Sequence, residues 1–212
     1  MIIDERMTVF IDSMDTPNTE FLNKLEKYSK ETNVPIIRPS MQSFLKLLLA
    51  ITQPKKILEV GTAIGFSALL MSEYGPEDCH ITTIEKYEKR IPLAKENFAK
   101  AGKEDKITLL EGDAVEILSQ LEGTYDFIFM DAAKGQYMDW LPDCLRLLKK
   151  GGILISDDVL YKGEVTDAVS TEKRKVTLVN RLNKYLEHIS DTEGLATTVL
   201  PIGNGVAISI KE

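Results

Sequence analysis

From residue 56 onward the chain alternates short β-type runs with helical patterns, and this rhythm limits the possible folds more than any other feature. "KILEV" is followed by "FSALLMSEY", "HITTIE" by "EKRIPLAKENFAKAG" and "KITLL" by "DAVEILSQL". "YDFIFMD" precedes a helix through "DWLPDCLRLLKK", which the following "GG" is expected to end. Strand "ILISD" comes next. After a longer crossover, "ATTVLPI" and "VAISIK" are joined around "GNG". Strands linked through helices pair in parallel, with the helices covering both faces of the sheet. Two strands separated only by a Gly-Asn-Gly turn must run antiparallel, because a parallel pair needs a long crossover. The expectation is an α/β fold: an open, mostly parallel sheet closed by an antiparallel C-terminal hairpin.

The segment before residue 53 reads as helical. "TPNTEFLNKLEKYSKET" places Phe21, Leu22, Leu25 and Tyr28 at helical spacing, with Thr16 as cap and Pro17 in the first turn. "VPIIRPS" breaks the pattern, and Ser40 is expected to cap a helix through "SMQSFLKLLLAI". At 212 residues the chain suits one domain, with residues 1–52 as a helical lid and 53–212 as a Rossmann-like core. The first fifteen residues carry acids early and show no signal-peptide pattern. No apolar stretch approaches the roughly 18 residues that a bilayer requires. Cys79 and Cys144 form no CxxC-type spacing, which fits a reducing compartment without a disulfide framework. A cytoplasmic location is expected.

The formal net charge of −7 argues against broad nucleic-acid binding, which depends on lysine and arginine. It leaves room for a local basic patch. "TEKRKVTLVNRLNKY" carries Lys173, Arg174, Lys175, Arg181 and Lys184 on one predicted helix, readable as such a patch or as an ordinary solvated face.

Chemistry gathers at the strand ends. "ILEVGTAIGFSALL" is a strand, a glycine-rich turn and a helix, placing Gly61 and Gly65 where backbone approaches a ligand and Ser67 near free helical N–H groups. Its GxxxG spacing is neither the dinucleotide GxGxxG nor a P-loop. Glu85 ends the second strand, where an acid commonly grips a ribose diol. Asp113 and Ala114 end the third, placed for an adenine edge. Asp131 ends the fourth and Asp157–Asp158 follow the fifth, so three carboxylates are positioned to meet one hard cation, which prefers oxygen ligands. Lys134 lies close enough to act as a base if desolvation and a cation's field depress its pKa. The competing reading is structural, with Lys134 paired to Asp131 and Asp158 capping the next segment.

In this order, "ILEVGTAIGFSALL", Glu85, "EGDA", "MDAAK" and "ISDDVL" resemble the cation-dependent class I O-methyltransferases, the catechol and caffeoyl-CoA type, over essentially the whole chain. The resemblance implies a seven-stranded Rossmann-like sheet, S-adenosylmethionine as methyl donor, Mg2+ or a similar divalent cation, and a homodimer. A closer resemblance is to the bacterial tRNA 5-hydroxyuridine methyltransferases, through "QPKKILEVGTAIGFSA", "DAAKGQY", the basic crossover and "LPIGNGVAIS". Carried over by motif, Asp131, Asp157 and Asp158 hold the metal and Lys134 is the base. Ile37, Gly61, Ser67, Glu85, Asp113, Ala114 and Asp131 line the donor pocket. The family usually reads Asp-Asn where this chain has Asp157-Asp158, which makes the site more negative.

The expected acceptor is therefore 5-hydroxyuridine at the wobble position of tRNA, whose 5-oxygen and 4-carbonyl oxygen form a chelating pair like that of a catechol. The alternative is a small catechol-like phenol, which the acidic balance favours. A nicotinamide-dependent oxidoreductase fits poorly, because the glycine spacing is wrong and the paired acids have no role. A non-catalytic donor-binding module leaves the acids and Lys134 unexplained.

Overall fold

The structure is a computed structural model that describes residues 3–166 and 173–212; for Lys173 and Arg174 only the backbone is described. Seven strands form one sheet: β1 (Lys56–Val60), β2 (His80–Glu85), β3 (Ile107–Glu111), β4 (Tyr125–Met130), β5 (Leu148–Ser156), β6 (Leu195–Leu200) and β7 (Val206–Lys211). Their order is β3-β2-β1-β4-β5-β7-β6. The first five pair in parallel, and β7 lies antiparallel to both β5 and β6, as the short Gly-Asn-Gly turn requires.

Register positions the site. Val60 is level with Ile84 and with Met130, and Met130 is level with Ser156. Four parallel strands thus end together, and the residues that follow, Gly61, Glu85, Asp131 and Asp157, emerge along one edge. The connections run in opposite senses from β1, toward β2 on one side and β4 on the other, which opens a crevice there.

Alternate strand residues face opposite layers. Ile57, Phe127, Phe129, Ile153 and Ile155 pack against α2 (Glu20–Thr32), α3 (Pro39–Thr52), α4 (Phe66–Tyr74) and α5 (Ile91–Lys100). Leu58, Val60, Ile128, Met130 and Leu154 pack against α6 (Ala114–Gln120), α7 (Tyr137–Leu147) and α8 (Lys173–Asp191). Each fully buried Phe or Leu contributes about 1.5–3 kcal/mol of transfer free energy. No described helix is long and apolar enough to cross a membrane.

Several boundaries differ from expectation. Helix α2 begins at Glu20 with Thr19 as N-cap, not at Thr16–Pro17. The preceding segment is tied down elsewhere: the Asn18 side chain donates to Gln42 at 2.6 Å, and the Asn18 carbonyl accepts from Asn23 Nδ2 at 2.9 Å. Ser29, not Tyr28, takes the buried position after Leu22 and Leu25, leaving Tyr28 exposed. In α3 the cap is Arg38, not Ser40, because the residue before Pro39 is held extended and the proline opens the first turn. Helix α7 ends at Leu147, before "GG", since Leu148 already pairs beside Tyr125 as the buried first residue of β5. An additional helix, α1 (Glu5–Ser13), is capped by Asp4 accepting from the Arg6 amide and buries none of its residues. Helices α2 and α3 pack on α4 and share the core of its layer, so the N-terminal segment joins the sheet through α4.

Candidate active site

The glycine-rich turn after β1 is shaped by what surrounds it. A Cβ on Gly61, at φ +109°, would lie 2.4 Å from the Asp131 carbonyl oxygen, so only glycine lets this turn meet the end of β4. Gly65, expected to face a ligand, instead faces Phe98, whose ring would lie 2.4 Å from a Cβ there. Its role is packing on α5 and the left-handed entry to α4.

The strand ends and this turn border a cleft of about 450 Å3. Ile37, Gly61, Ser67, Glu85, Ala114, Asp131, Lys134, Asp157 and Asp158 all line it. Asp113 does not; one of its carboxylate oxygens accepts from the Val115 amide at 2.9 Å to cap α6, and the other pairs with Lys86 at 3.2 Å. The Val115 bond and then Lys86 hold its pKa below the usual carboxylate value. Glu85 accepts from the amide of Ala63 at 2.7 Å, Lys86 at 3.0 Å and Tyr87 at 2.8 Å, which fixes its carboxylate at the rim.

The acids expected to converge on a cation are gathered in the cleft but do not close on one point. Lys134 Nζ lies 3.4 Å from Asp131 Oδ1 and 3.1 Å from Asp158 Oδ2, standing between them. Asp157 Oδ1 accepts from the Asp158 amide at 2.7 Å, and Asp158 sits in the left-handed region at φ +59°. Among the described residues no group of three His, Cys, Asp or Glu is arranged to hold a metal ion. Burial, reinforced by Asp131 and Asp158, pushes the Asp157 carboxyl well above its ordinary pKa. Burial also raises Asp131, with Lys134 opposing and Asp158 adding to the rise. Desolvation pulls Lys134 down, but Asp131 and Asp158 outweigh it and its pKa is raised. In this arrangement Lys134 is an ammonium and not yet a base; the depression expected of it belongs to a site that also carries a cation's field.

The donor set nonetheless fits a hard cation. It is made of oxygens only, Asp131 and Asp157 are desolvated and the three carboxylates share the one ammonium of Lys134, and Asn204 adds a buried amide Oδ1 with no partner among the described residues. Asn204 reaches the cleft from the β6–β7 turn; the sequence reading used it only as a turn residue. Trp140 also lines the cleft with a buried indole N–H that has no partner among the described residues. Glu59, in the middle of "ILEVG", was missed as well. It is wholly buried, and one oxygen accepts from the Thr83 hydroxyl at 2.5 Å. Burial lifts its pKa to about 7 against the hydrogen bonds from Ser67 and Thr83. An acid within an apolar strand run was the available signal.

The basic crossover is partly consumed by the fold. Lys175 pairs with Glu164 at 3.0 Å, and Arg181 donates to the Gly135 carbonyl at 2.8 Å, holding the short turn Lys134–Gln136 against α8. Lys184 is exposed, while the side chains of Lys173 and Arg174 lie outside the described residues.

Comparison with known proteins agrees with this architecture. A catechol O-methyltransferase of Niastella koreensis is 35% identical over 190 residues, covering 85% of each chain. A caffeoyl-CoA O-methyltransferase of Populus kitakamiensis is 34% identical over 175 residues, 78% of this chain and 73% of that one. A Staphylococcus aureus structure provisionally described as a caffeoyl-CoA O-methyltransferase superposes with a TM-score of 0.90 at 34% identity, over 99% of this chain and all of that one. An O-methyltransferase of Bacillus cereus, solved in complex with SAH, superposes with a TM-score of 0.85 at 25% identity, over 96% of each chain. Residues 12–212 match the O-methyltransferase family, and the chain belongs to it as a methyltransferase enzyme.

Proposed function

We propose that the chain transfers a methyl group from S-adenosylmethionine to one of two adjacent oxygens on its acceptor, with a divalent cation. The observation that carries this reading is the set of Asp131, Lys134, Asp157 and Asp158 gathered at the end of the cleft that Gly61, Ser67 and Glu85 border. Asp131, Asp157 and Asp158 would hold the cation, with Asn204 Oδ1 as a further oxygen donor. A bound cation there supplies positive charge that acidifies a chelating hydroxyl.

The chain's own groups account for the rest. Glu85 binds the donor's ribose hydroxyls and Ser67 lies at the α4 N-terminus beside it. With Asp131 and Asp158 engaged elsewhere, desolvation is left as the main influence on Lys134 and moves it toward a neutral amine. The amine takes the acceptor proton, the acceptor oxygen attacks the methyl carbon, and the C–S electron pair leaves with sulfur. Holding both reactants in line can supply up to about 7–11 kcal/mol of the barrier, so alignment outweighs proton removal.

The acceptor proposed is 5-hydroxyuridine at the tRNA wobble position. The "DAAKGQY" and "LPIGNGVAIS" segments and exposed Lys184 support it. A catechol-like phenol is the second reading, favoured by the relatives named above and by the diversion of Lys175 and Arg181 into the fold. Comparing methyl transfer to tRNA bearing 5-hydroxyuridine with transfer to catechol separates them: tRNA preference supports the first, and catechol preference replaces it. The proposal also includes a cytoplasmic homodimer in which a second copy covers Phe10 and Ile51, both exposed in the single chain.

A further inference from the structure

We propose that Arg38 recognises an anionic oxygen group of the acceptor, a phosphate or a carboxylate, at the mouth of the cleft; this deepens the acceptor reading above and rests on it. Arg38 borders two hollows at once. One is the cleft that holds the acids. The other, about 610 Å3, lies between α1, α3 and the β6–β7 turn, and includes Phe44, Leu47 and Ile202 on its largely apolar wall. An acceptor whose reacting ring sits among the acids passes Arg38 on its way out.

The guanidinium is available. It has no hydrogen-bond or ion-pair partner among the described residues, whereas the other cations of the cleft are engaged. Lys134 stands between Asp131 and Asp158, Lys86 pairs with Asp113, and Arg90 lies over the Tyr87 ring at 5.4 Å from its centroid. Arg38 is also held. Pro39 keeps its backbone extended, and its carbonyl accepts from the amides of Met41 and Gln42, both at 2.9 Å. Its stem rests against the β6–β7 turn, where a Cβ on Gly203 would lie 3.4 Å from Arg38 Cδ.

Charge directs an anion to this point. Glu85, Asp131 and Asp158 repel one from the cleft interior, and Asp12 and Asp15 do so from the α1 side of the hollow. Between these two acidic borders stands the planar fork of Arg38, suited to bidentate contact with a phosphate or carboxylate, at the positive end of α3. A phosphate would come from the nucleotide carrying 5-hydroxyuridine, and a carboxylate from a phenolic acid.

The test compares wild type, Arg38→Gln and Arg38→Lys at saturating S-adenosylmethionine and fixed magnesium. Two acceptor pairs differ in whether they carry the anionic group: 5-hydroxyuridine 5′-monophosphate against 5-hydroxyuridine, and 3,4-dihydroxybenzoate against 3,4-dihydroxybenzamide. The expected result is a KM about tenfold higher for the charged member with Arg38→Gln, little change in kcat, partial recovery with Arg38→Lys, and no effect on the neutral member. An effect confined to the phosphate pair, or to the carboxylate pair, identifies the group that Arg38 receives. Equal change for both members of each pair overturns the inference, as does a raised KM for S-adenosylmethionine in a parallel titration of the donor, which would assign Arg38 to the donor. Failure of the wild type to methylate any of the four, and also tRNA bearing 5-hydroxyuridine and catechol, refutes the acceptor reading and the inference with it.

Discussion

Replacing Glu59 by glutamine should change how stability varies with pH more than it changes stability at any one pH. Glu59 is wholly buried on β1, held by the hydroxyls of Thr83 and Ser67, with its second oxygen unpartnered among the described residues. Its pKa rises from 4.5 to about 7, chiefly through burial. The folded pKa lies above the unfolded one, so its favourable contribution is complete below about pH 4.5 and is lost as pH rises through 7. That rise corresponds to about 3 kcal/mol, most of which is lost between pH 5 and 8. The glutamine side chain does not titrate. Its amide NH2 would point where the unpartnered oxygen lies, a pH-independent cost of about 1–3 kcal/mol. Urea unfolding of both proteins without donor, at several values between pH 5 and 8, separates the constant offset from the slope. Wild type should lose about 2–3 kcal/mol relative to Glu59→Gln across that range. A constant gap, or wild type gaining on the variant as pH rises, would refute a buried, uncharged Glu59.

Other substitutions probe the cleft directly. Gly61→Ala places a methyl 2.4 Å from the Asp131 carbonyl in a backbone region closed to alanine; donor binding by calorimetry should be lost, with stability down by about 3 kcal/mol. Glu85→Ala leaves the amides of Ala63, Lys86 and Tyr87 without their acceptor, and should weaken donor affinity by at least about tenfold while lowering the melting temperature. Arg181→Ala frees the Gly135 carbonyl and loosens the turn carrying Lys134; kcat should fall by about fivefold with the donor dissociation constant unchanged, and Arg181→Lys should restore part of it.

The layered architecture was readable because each strand run is short, apolar and separated from the next by a pattern of helical period. The Gly-Asn-Gly turn alone fixed the sense of β7 relative to β6. Residues at strand ends were readable for a related reason: in a parallel sheet with level register, an acid after an apolar run has to emerge at the common edge. Gly61, Glu85, Asp131 and Asp157 follow that rule. The errors arose where distant contacts decide. Asn18 is diverted by Gln42, and Leu148 is drawn into the sheet by its partner Tyr125, neither of which local spacing reveals. Asn204 and Arg38 reach the cleft from the β6–β7 turn and the start of α3, far apart in sequence, and are brought to it by packing alone. The state of Lys134 was also beyond sequence, since desolvation and carboxylate pairing oppose each other there and only geometry decides between them.

The central claim is that methyl transfer depends on a divalent cation held by the carboxylates beside Lys134. Its most direct test is transfer of labelled methyl from S-adenosylmethionine to tRNA bearing 5-hydroxyuridine and to catechol, with magnesium and with chelator, for wild type and Asp157→Ala. The expected result is turnover of at least one acceptor that the chelator abolishes and magnesium restores, with Asp157→Ala inactive while still binding the donor. Turnover unaffected by the chelator, or retained in Asp157→Ala, would contradict it.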